Sequence, residues 1–130
     1  MILIDTHVVV WLALEPSRIS KGAHGIISDA RRDGSGLGIV DVSLWEIAML
    51  VNRNRVKITI SIESFLREIE TNFIVFPLTS KIAARSMQFT ERYPKDPTDR
   101  LIGATAVVEG LPLVTRDEKI RASKEVPTLW

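Results

Sequence analysis

The sequence contains no cysteine among its 130 residues. Disulfide bridges, zinc–thiolate sites and cysteine nucleophiles are therefore excluded, and we expect a reducing, cytoplasmic location. Long hydrophobic runs are also missing, since no segment approaches the roughly 18 apolar residues of a membrane-spanning helix. The apolar start at residues 2–4 is ended by Asp5 and is too short for a signal peptide. We therefore expect no membrane association.

The chain also lacks a strong excess of either charge. It has 17 basic and 16 acidic residues, a net charge of +1, so its total charge does not point to nucleic acid. Two basic stretches lie at residues 53–57 and 116–124. They are consistent either with solvated surface charges or with phosphate-contacting flanks of an acidic centre.

The order of apolar runs predicts the fold class. Strand-like runs at residues 2–5, 37–40, 73–76, 111–115 and 126–129 are separated by helical patterns. Strands that alternate with helices pair in parallel through right-handed crossovers. We therefore predict an α/β protein, a three-layer α/β/α sandwich around a central parallel sheet. The length fits a single domain over residues 1–130.

Several segments carry more specific predictions. The continuous apolar run 73–76 is typical of a strand covered on both faces, and the alternating residues 56–60 predict a short extended segment. A helix is expected from Thr79 to about Thr90. The helix at 99–110 has almost no polar face and should be buried, with Gly103 allowing close approach of a neighbour.

Four carboxylates stand at the junctions between these elements. They are Asp5, Glu46, Asp99 and Asp117, and each lies where a helical pattern begins. The carboxyl ends of parallel strands share the edge of a sheet at which ligands bind, so we expect the four side chains to converge there. Clustered carboxylate oxygens suit hard divalent cations such as Mg²⁺ or Mn²⁺.

Each acid also has a structural explanation as a helix cap. Ser43 and Glu46 have the spacing of a capping box that would begin a helix at Ser43. Asp96 precedes a proline as an N-cap does, Thr115 could begin a second capping box, and Asp5 can cap the first helix. Taken singly, ordinary capping accounts for every one of them.

Taken together, the acids are poorly explained by capping. Two unit charges about 4 Å apart repel by about 4 kcal/mol at an effective dielectric constant of 20. A cap contributes only about 1 kcal/mol, and Ser, Thr or Asn would supply it without repulsion. A cluster of several carboxylates therefore indicates a bound cation.

Four segments carry a resemblance to a known family. Residues 4–7 (IDTH), 43–48 (SLWEIA), 96–102 (DPTDRLI) and 113–117 (LVTRD) resemble, in order, the successive motifs of the PIN domain, most closely its VapC-type toxin branch. The resemblance implies a Mg²⁺- or Mn²⁺-dependent endoribonuclease that hydrolyses RNA phosphodiester bonds. It also implies a homodimer and a cognate antitoxin protein that occludes the site.

The same resemblance assigns roles to residues. The catalytic and metal-binding quartet would be Asp5, Glu46, Asp99 and Asp117, with Asp96 as an accessory acid and Thr6 and Thr115 as supporting hydroxyls. From their positions beside these acids, we expect the basic side chains of Lys95, Arg100 and Arg116 to contact substrate phosphate; Arg100 could instead pair with a neighbouring acid.

The chain departs from the family pattern at two places. Asp41 stands where a small polar residue is expected and would add a fifth acid near the site. Tyr93-Pro94-Lys95 precedes Asp96 where relatives often carry His-Gly. These differences bear on substrate preference rather than on the class of reaction.

Two other interpretations stay open on the residues alone. An aspartyl-phosphate enzyme or receiver domain also has acids at strand ends, although His7 stands two positions after Asp5, where such a phosphatase has a second Asp. A non-catalytic interaction module could keep the same fold. Acyl transfer is disfavoured because His7 and His24 have no Ser or Cys partner in a recognisable motif. His7 itself could either pack beside the acids or contact substrate.

Overall fold

The computed structural model describes every residue from Met1 to Trp130. It contains five short strands and seven α-helices, with a 3₁₀ turn at Pro16–Arg18. In chain order the elements are β1 (Ile2–Ile4), α1 (Thr6–Leu14), α2 (Lys21–Arg32), β2 (Leu37–Val40), α3 (Asp41–Asn52), α4 (Ile62–Asn72), β3 (Ile74–Phe76), α5 (Ser80–Ser86), α6 (Pro97–Glu109), β4 (Leu113–Val114), α7 (Glu118–Ser123) and β5 (Thr128–Leu129).

The five strands form one parallel sheet in the order β3-β2-β1-β4-β5. The chain builds outward from β1 in one direction through β2 and β3, and then in the other through β4 and β5. The order therefore reverses between β1 and β4. In open α/β sheets, ligands bind outside the carboxyl ends of the strands at such a reversal. Asp5 directly follows β1, and Thr115 directly follows β4.

A hydrophobic layer covers each face of the sheet. Ile2 and Ile4 pack into one cluster together with residues of α1, α2 and α4. Leu3, which points to the opposite face, packs into a second cluster with residues of α6 such as Ile102. This alternation follows from the two-residue period of a strand. The predicted three-layer α/β/α sandwich with a parallel sheet is confirmed.

Three local predictions were wrong. β3 is not covered on both faces, since Ile74 is 48% exposed; it is also an edge strand, with β2 as its one paired neighbour. Residues 56–60 are irregular and bent instead of forming an extended segment. The helix after Thr79 ends at Ser86 and not near Thr90, although Thr79 does accept the capping hydrogen bond from Ile82 N, at 3.2 Å.

The segment that follows α5, residues 87–96, contacts α6. The Arg100 guanidinium donates hydrogen bonds to the carbonyl oxygens of Pro94, at 3.0 Å, and of Phe89 and Thr90, each at 3.5 Å. The Thr90 oxygen also accepts a hydrogen bond from Tyr93 N, at 3.2 Å. The segment therefore folds back over α6.

Tyr93 packs against α6 at its glycine. The ring is fully buried and stacks on Phe89 with 4.0 Å between ring centroids. Its hydroxyl donates to the backbone oxygen of Asp99 at 2.7 Å. A Cβ atom on Gly103 would overlap that hydroxyl, so the close approach predicted at Gly103 is confirmed. No helix of the structure is both long and apolar enough to cross a membrane.

Candidate active site

The four predicted carboxylates line one pocket at the carboxyl edge of the sheet. The pocket has a volume of about 400 Å³ and lies beside the reversal between β1 and β4. The predicted convergence is therefore found in the structure. Ten residues line the pocket: the six acids Asp5, Glu46, Asp96, Asp99, Asp117 and Glu118, and four others, His7, Val8, Trp11 and Arg116.

Asp5 is the most firmly held of these acids. It is 7% exposed and accepts hydrogen bonds on both carboxylate oxygens. Thr6 N donates to Oδ1 at 2.8 Å, which caps α1, and the Thr115 hydroxyl donates to Oδ2 at 2.7 Å. The bond from Thr115 joins the ends of β1 and β4. One oxygen therefore caps a helix, while the other is tied to the neighbouring strand.

Glu46 does not take part in a capping box, which corrects the prediction made for Ser43. Helix α3 begins at Asp41, and its N-cap, Val40, makes no side-chain hydrogen bond. Ser43 lies buried inside the first turn, and its hydroxyl pairs with the Thr6 hydroxyl at 2.8 Å. The Glu46 carboxylate is therefore free of a capping role and faces the pocket.

Asp41 does not belong to the acidic pocket, contrary to expectation. Its Oδ2 accepts a hydrogen bond from Leu78 N at 3.0 Å, which ties the start of α3 to the segment after β3. Because Asp41 is the first residue of α3 and Glu46 follows more than one helical turn later, the two side chains serve different parts of the molecule.

The start of α6 supplies two acids with different surroundings. Asp96 is the N-cap, as predicted, and its Oδ1 accepts from Thr98 N at 2.9 Å and from Asp99 N at 3.3 Å. Asp99 lies one turn into the helix and accepts no hydrogen bond on its side chain, although it is partly buried. No hydrogen-bond donor therefore offsets the charge of its carboxylate.

Asp117 caps α7 through a hydrogen bond from Ile120 N to Oδ1, at 2.9 Å. The second capping box was therefore wrongly placed, since Asp117 and not Thr115 is the cap. Thr115 instead links two of the acids. Its hydroxyl accepts from Asp117 N at 3.0 Å while it donates to Asp5, and so fixes both acids relative to each other.

Burial and mutual repulsion raise the pKa of three of these carboxyl groups. Burial is the main cause for the raised pKa of Asp5, where hydrogen bonds from Thr115 and Thr6 oppose it. Burial likewise raises the pKa of Glu46, with added repulsion from Asp5 and Asp96. Burial, and then the charges of Asp5, Asp96, Asp117 and Glu46, raise the pKa of Asp99 to about 7. The pocket therefore concentrates negative charge that the protein's own cations do not neutralise.

The chemistry of this donor set fits a hard divalent cation. All the donors that converge are carboxylate oxygens, apart from His7. No three His, Asp or Glu side chains are placed to hold one metal ion together. Carboxylate oxygens are nevertheless the protein ligands that Mg²⁺ prefers, and the ion keeps several water ligands besides.

The three predicted phosphate contacts are placed differently. Arg116 lines the pocket, with its guanidinium carbon 5.7 Å from the centre of the Trp11 ring. Lys95 is exposed beside Asp96 but does not line the pocket. The structure does not support a phosphate contact by Arg100, because its guanidinium is committed to three backbone carbonyls; it does not pair with an acid either.

Sequence reasoning missed Glu118 as a lining residue and Ser43 as the partner of Thr6. The position of Glu118 next to Asp117 could have indicated that it lines the pocket. For Ser43 the capping spacing pointed to the wrong role. Another cavity is larger than this pocket but has a different character. It has a volume of about 570 Å³, lies between α1, α4 and residues 57–60, and is mostly apolar, with Glu68 as its one acid.

Comparison with known proteins identifies the family. The PIN domain matches residues 2–125, which is nearly the whole chain. Ribonuclease VapC22 of Mycobacterium tuberculosis is 32% identical over 99% of this chain and 98% of that protein. The chain belongs to the PIN-domain family. Its resemblance to the VapC branch of that family, inferred from four short motifs, is confirmed.

Solved structures agree on the fold of this PIN-domain protein. A crystal structure of VapBC2 from Rickettsia felis bound to a DNA fragment from their promoter matches with a TM-score of 0.74 and 16% identity, over 98% of this chain and 97% of that one. A toxin–antitoxin complex from Klebsiella pneumoniae matches with a TM-score of 0.65 and 21% identity, over 94% and 91% of the two chains. At these identities the likeness concerns the PIN fold alone.

Proposed function

We propose that this PIN-domain protein is a metal-dependent endoribonuclease and the toxin of a toxin–antitoxin pair. The observation that carries the proposal is the convergence of Asp5, Glu46, Asp99 and Asp117 on one pocket of a chain that is 32% identical to a VapC ribonuclease. An interaction module would have no use for partly buried carboxylates with raised pKa values, which cost stability in the metal-free protein.

Asp5 and Asp99 would be the principal ligands of Mg²⁺ or Mn²⁺, with Glu46 and Asp117 binding directly or through water. When bound, the cation would activate water, hold the scissile phosphate and stabilise the leaving oxygen. Hydrogen bonds from Thr6 N and Thr115 fix Asp5 at the end of β1. Capping by Asp96 fixes the first turn of α6 and with it Asp99.

Substrate phosphate would be held at the rim. Arg116 is the cation that lines the pocket, and Trp11 supports its guanidinium. A phosphodiester drawn into the pocket would face carboxylates on most sides, so its own charge would be repelled without the metal. Placement of the scissile phosphate in the pocket therefore requires the cation and Arg116 together.

The partner would be a small antitoxin protein, since chains of this fold occur in complexes described as toxin–antitoxin assemblies. A basic side chain of that partner would suit the acidic pocket and would block it. We also propose that the chain forms a homodimer, as the family resemblance implies.

The decisive experiment measures RNA cleavage by the purified chain. Cleavage should require Mg²⁺ or Mn²⁺ and stop in a chelator. Asp5→Asn and Asp99→Asn should each lower kcat by at least about 100-fold, the scale seen when a key electrostatic stabiliser is removed. Asp41→Asn is the matched control, because it removes the same charge outside the pocket, and it should cleave normally. Activity that persists in chelator, or in both pocket variants, would refute the proposal.

A further inference from the structure

A second groove adjoins the acidic pocket and has the opposite charge. This groove, which we call the basic groove, has a volume of about 520 Å³ and contains the cations Arg18, Arg55 and Lys57. His7 and Trp11 line both the basic groove and the acidic pocket, so the two cavities meet along these side chains.

The cations of the basic groove are largely uncompensated. Glu15 is its one acid, and it forms an exposed ion pair of 3.6 Å with Arg18. Arg55 and Lys57 form no ion pair in the structure, and both are exposed on the segment after α3. Like charges two residues apart gain by binding an anion that lies between them. The acidic pocket next to them cannot supply it, because its carboxylates face their own cavity.

Trp11 forms the boundary between the two cavities. Its ring is 8% exposed, which makes it a wall and not an open stacking surface. The guanidinium carbon of Arg18 lies 4.8 Å from the ring centre, and that of Arg116 lies 5.7 Å from it. Arg18 belongs to the basic groove and Arg116 to the acidic pocket. Positive charge therefore continues across the boundary.

We infer that the basic groove binds the single-stranded RNA segment next to the scissile phosphate, with Arg18, Arg55 and Lys57 contacting successive backbone phosphates. This inference rests on the proposed ribonuclease function. An acidic catalytic pocket repels RNA, and affinity for a polyanion comes mainly from cations that neutralise its phosphates. Contacts of this kind hold and orient the strand without reading its sequence.

The test is the double variant Arg55→Gln/Lys57→Gln, with Arg53→Gln as the matched control. Arg53 lies on the same segment but lines neither cavity. Binding is measured in chelator, so that nothing is cleaved, by fluorescence anisotropy of a labelled single-stranded RNA of about 12 nucleotides and of a trinucleotide; single-strand grooves accept about 4–16 nucleotides. Thermal melts verify that the variants are folded.

The double variant should bind the longer RNA about tenfold more weakly, and the slope of log K against log salt should become shallower by about 1.4, or 0.7 per lost contact. Cleavage should show an increased KM and an unchanged kcat. The trinucleotide has too few phosphates to contact all three cations and should lose less affinity than the longer RNA, and Arg53→Gln should resemble the wild type.

Four outcomes would overturn the inference: unchanged binding of the longer RNA, an equal loss in Arg53→Gln, a fall in kcat with KM unchanged, or weaker binding of a protein partner with RNA binding intact. The last would make the groove a protein-binding site. Failure of the wild type to cleave any RNA with Mn²⁺ would instead refute the proposed function, and the binding comparison would still decide the role of the groove.

Discussion

At the scale of single residues, Asp5 and Asp99 differ in how the protein compensates their charge. Two donors bind the Asp5 carboxylate, whereas the Asp99 carboxylate accepts no hydrogen bond and is repelled by four other acids. Replacing Asp5 by Asn would place an amide group against one of these donors. Replacing Asp99 by Asn breaks no hydrogen bond of its side chain. Asp99 is therefore the cleaner position at which to measure repulsion within the pocket.

We predict that Asp99→Asn stabilises the metal-free protein at pH 8 by something on the order of 1 kcal/mol, because it removes one charge from a partly solvent-screened cluster. Mg²⁺ at ten times its dissociation constant should stabilise the wild type by about 1.4 kcal/mol, and the variant by much less. Thermal melts of both proteins, with and without Mg²⁺, provide the measurement. A variant that is less stable without metal, yet gains as much from Mg²⁺, would show that Asp99 has a structural role only.

A second residue-scale prediction concerns pH. The pKa of Asp99 is about 7 in the folded protein and near its ordinary 3.8 when unfolded, so the folded state binds the proton more tightly. The free energy of unfolding of the metal-free protein should therefore fall as the pH rises from about 4 to about 7, and then level off. Denaturant titrations across this range would show the fall, and Asp99→Asn should reduce it. An unchanged pH profile in the variant would assign the effect to other groups.

At the scale of elements, the site is built from helix starts. Asp5, Asp96 and Asp117 cap α1, α6 and α7, so three acids of the pocket also satisfy free backbone N–H groups. The cap and the pocket are compatible because a carboxylate has two oxygens. At α3 no side chain caps the helix, and Glu46 contributes to the pocket alone.

The close packing of α6 against the Tyr93 segment predicts how substitution of a glycine in α6 changes stability. Gly103→Ala should destabilise the protein by about 1–3 kcal/mol, because its Cβ would overlap the Tyr93 ring and hydroxyl. Gly25→Ala in α2 is the control. Nothing lies within 4 Å of its Cβ position, and alanine should stabilise that helix by about 0.5–1 kcal/mol.

Urea unfolding of the two glycine variants measures both effects. Gly103→Ala should also weaken binding of Mg²⁺, since Tyr93 donates to the backbone of Asp99 and any shift of the ring displaces the first turn of α6. Equal stability of Gly103→Ala and the wild type would show that the Tyr93 segment moves away freely.

At the scale of the whole molecule, the position of the pocket follows from strand order. Since the order reverses between β1 and β4, the helices that follow these strands leave on different sides and expose the strand ends. Asp5 and Thr115 stand at those ends, and their hydrogen bond spans 110 positions of the sequence. The site therefore exists only when both halves of the sheet are assembled.

The prediction at this scale concerns toxicity to a host cell and binding of an antitoxin. Expression of this chain alone should arrest growth of a bacterial host, and Asp5→Asn should not, because the site is then unable to hold its cation. Co-expression with the small protein encoded beside it should restore growth and yield a complex on gel filtration. The chain alone should elute at twice 14.6 kDa if it forms a homodimer. High-level expression of the wild type without arrest and without a partner would contradict the toxin assignment.

Elements with strong local signals were predictable. Helix α6 begins at the proline after Asp96 and ends at Gly110, which adopts a left-handed conformation with φ of 66°. Both signals are local backbone preferences and hold in any tertiary context. The capping box at Ser43 failed because a buried partner, the Thr6 hydroxyl, competes for its side chain. Arg100 makes a similar unpredicted contact, since its guanidinium donates to three backbone carbonyls that no local pattern singles out.

The sequence by itself determined the fold class and the identity of the four acids, because both depend on the order of apolar runs and on which residue follows each run. Only the tertiary structure decided which neighbours these acids have. Thr115 holds Asp5, Asp41 turns away to Leu78, and Asp99 stays uncompensated. Hydrogen bonds and repulsions of this kind act between residues distant in sequence, and their strength depends on burial and separation, which no local pattern specifies.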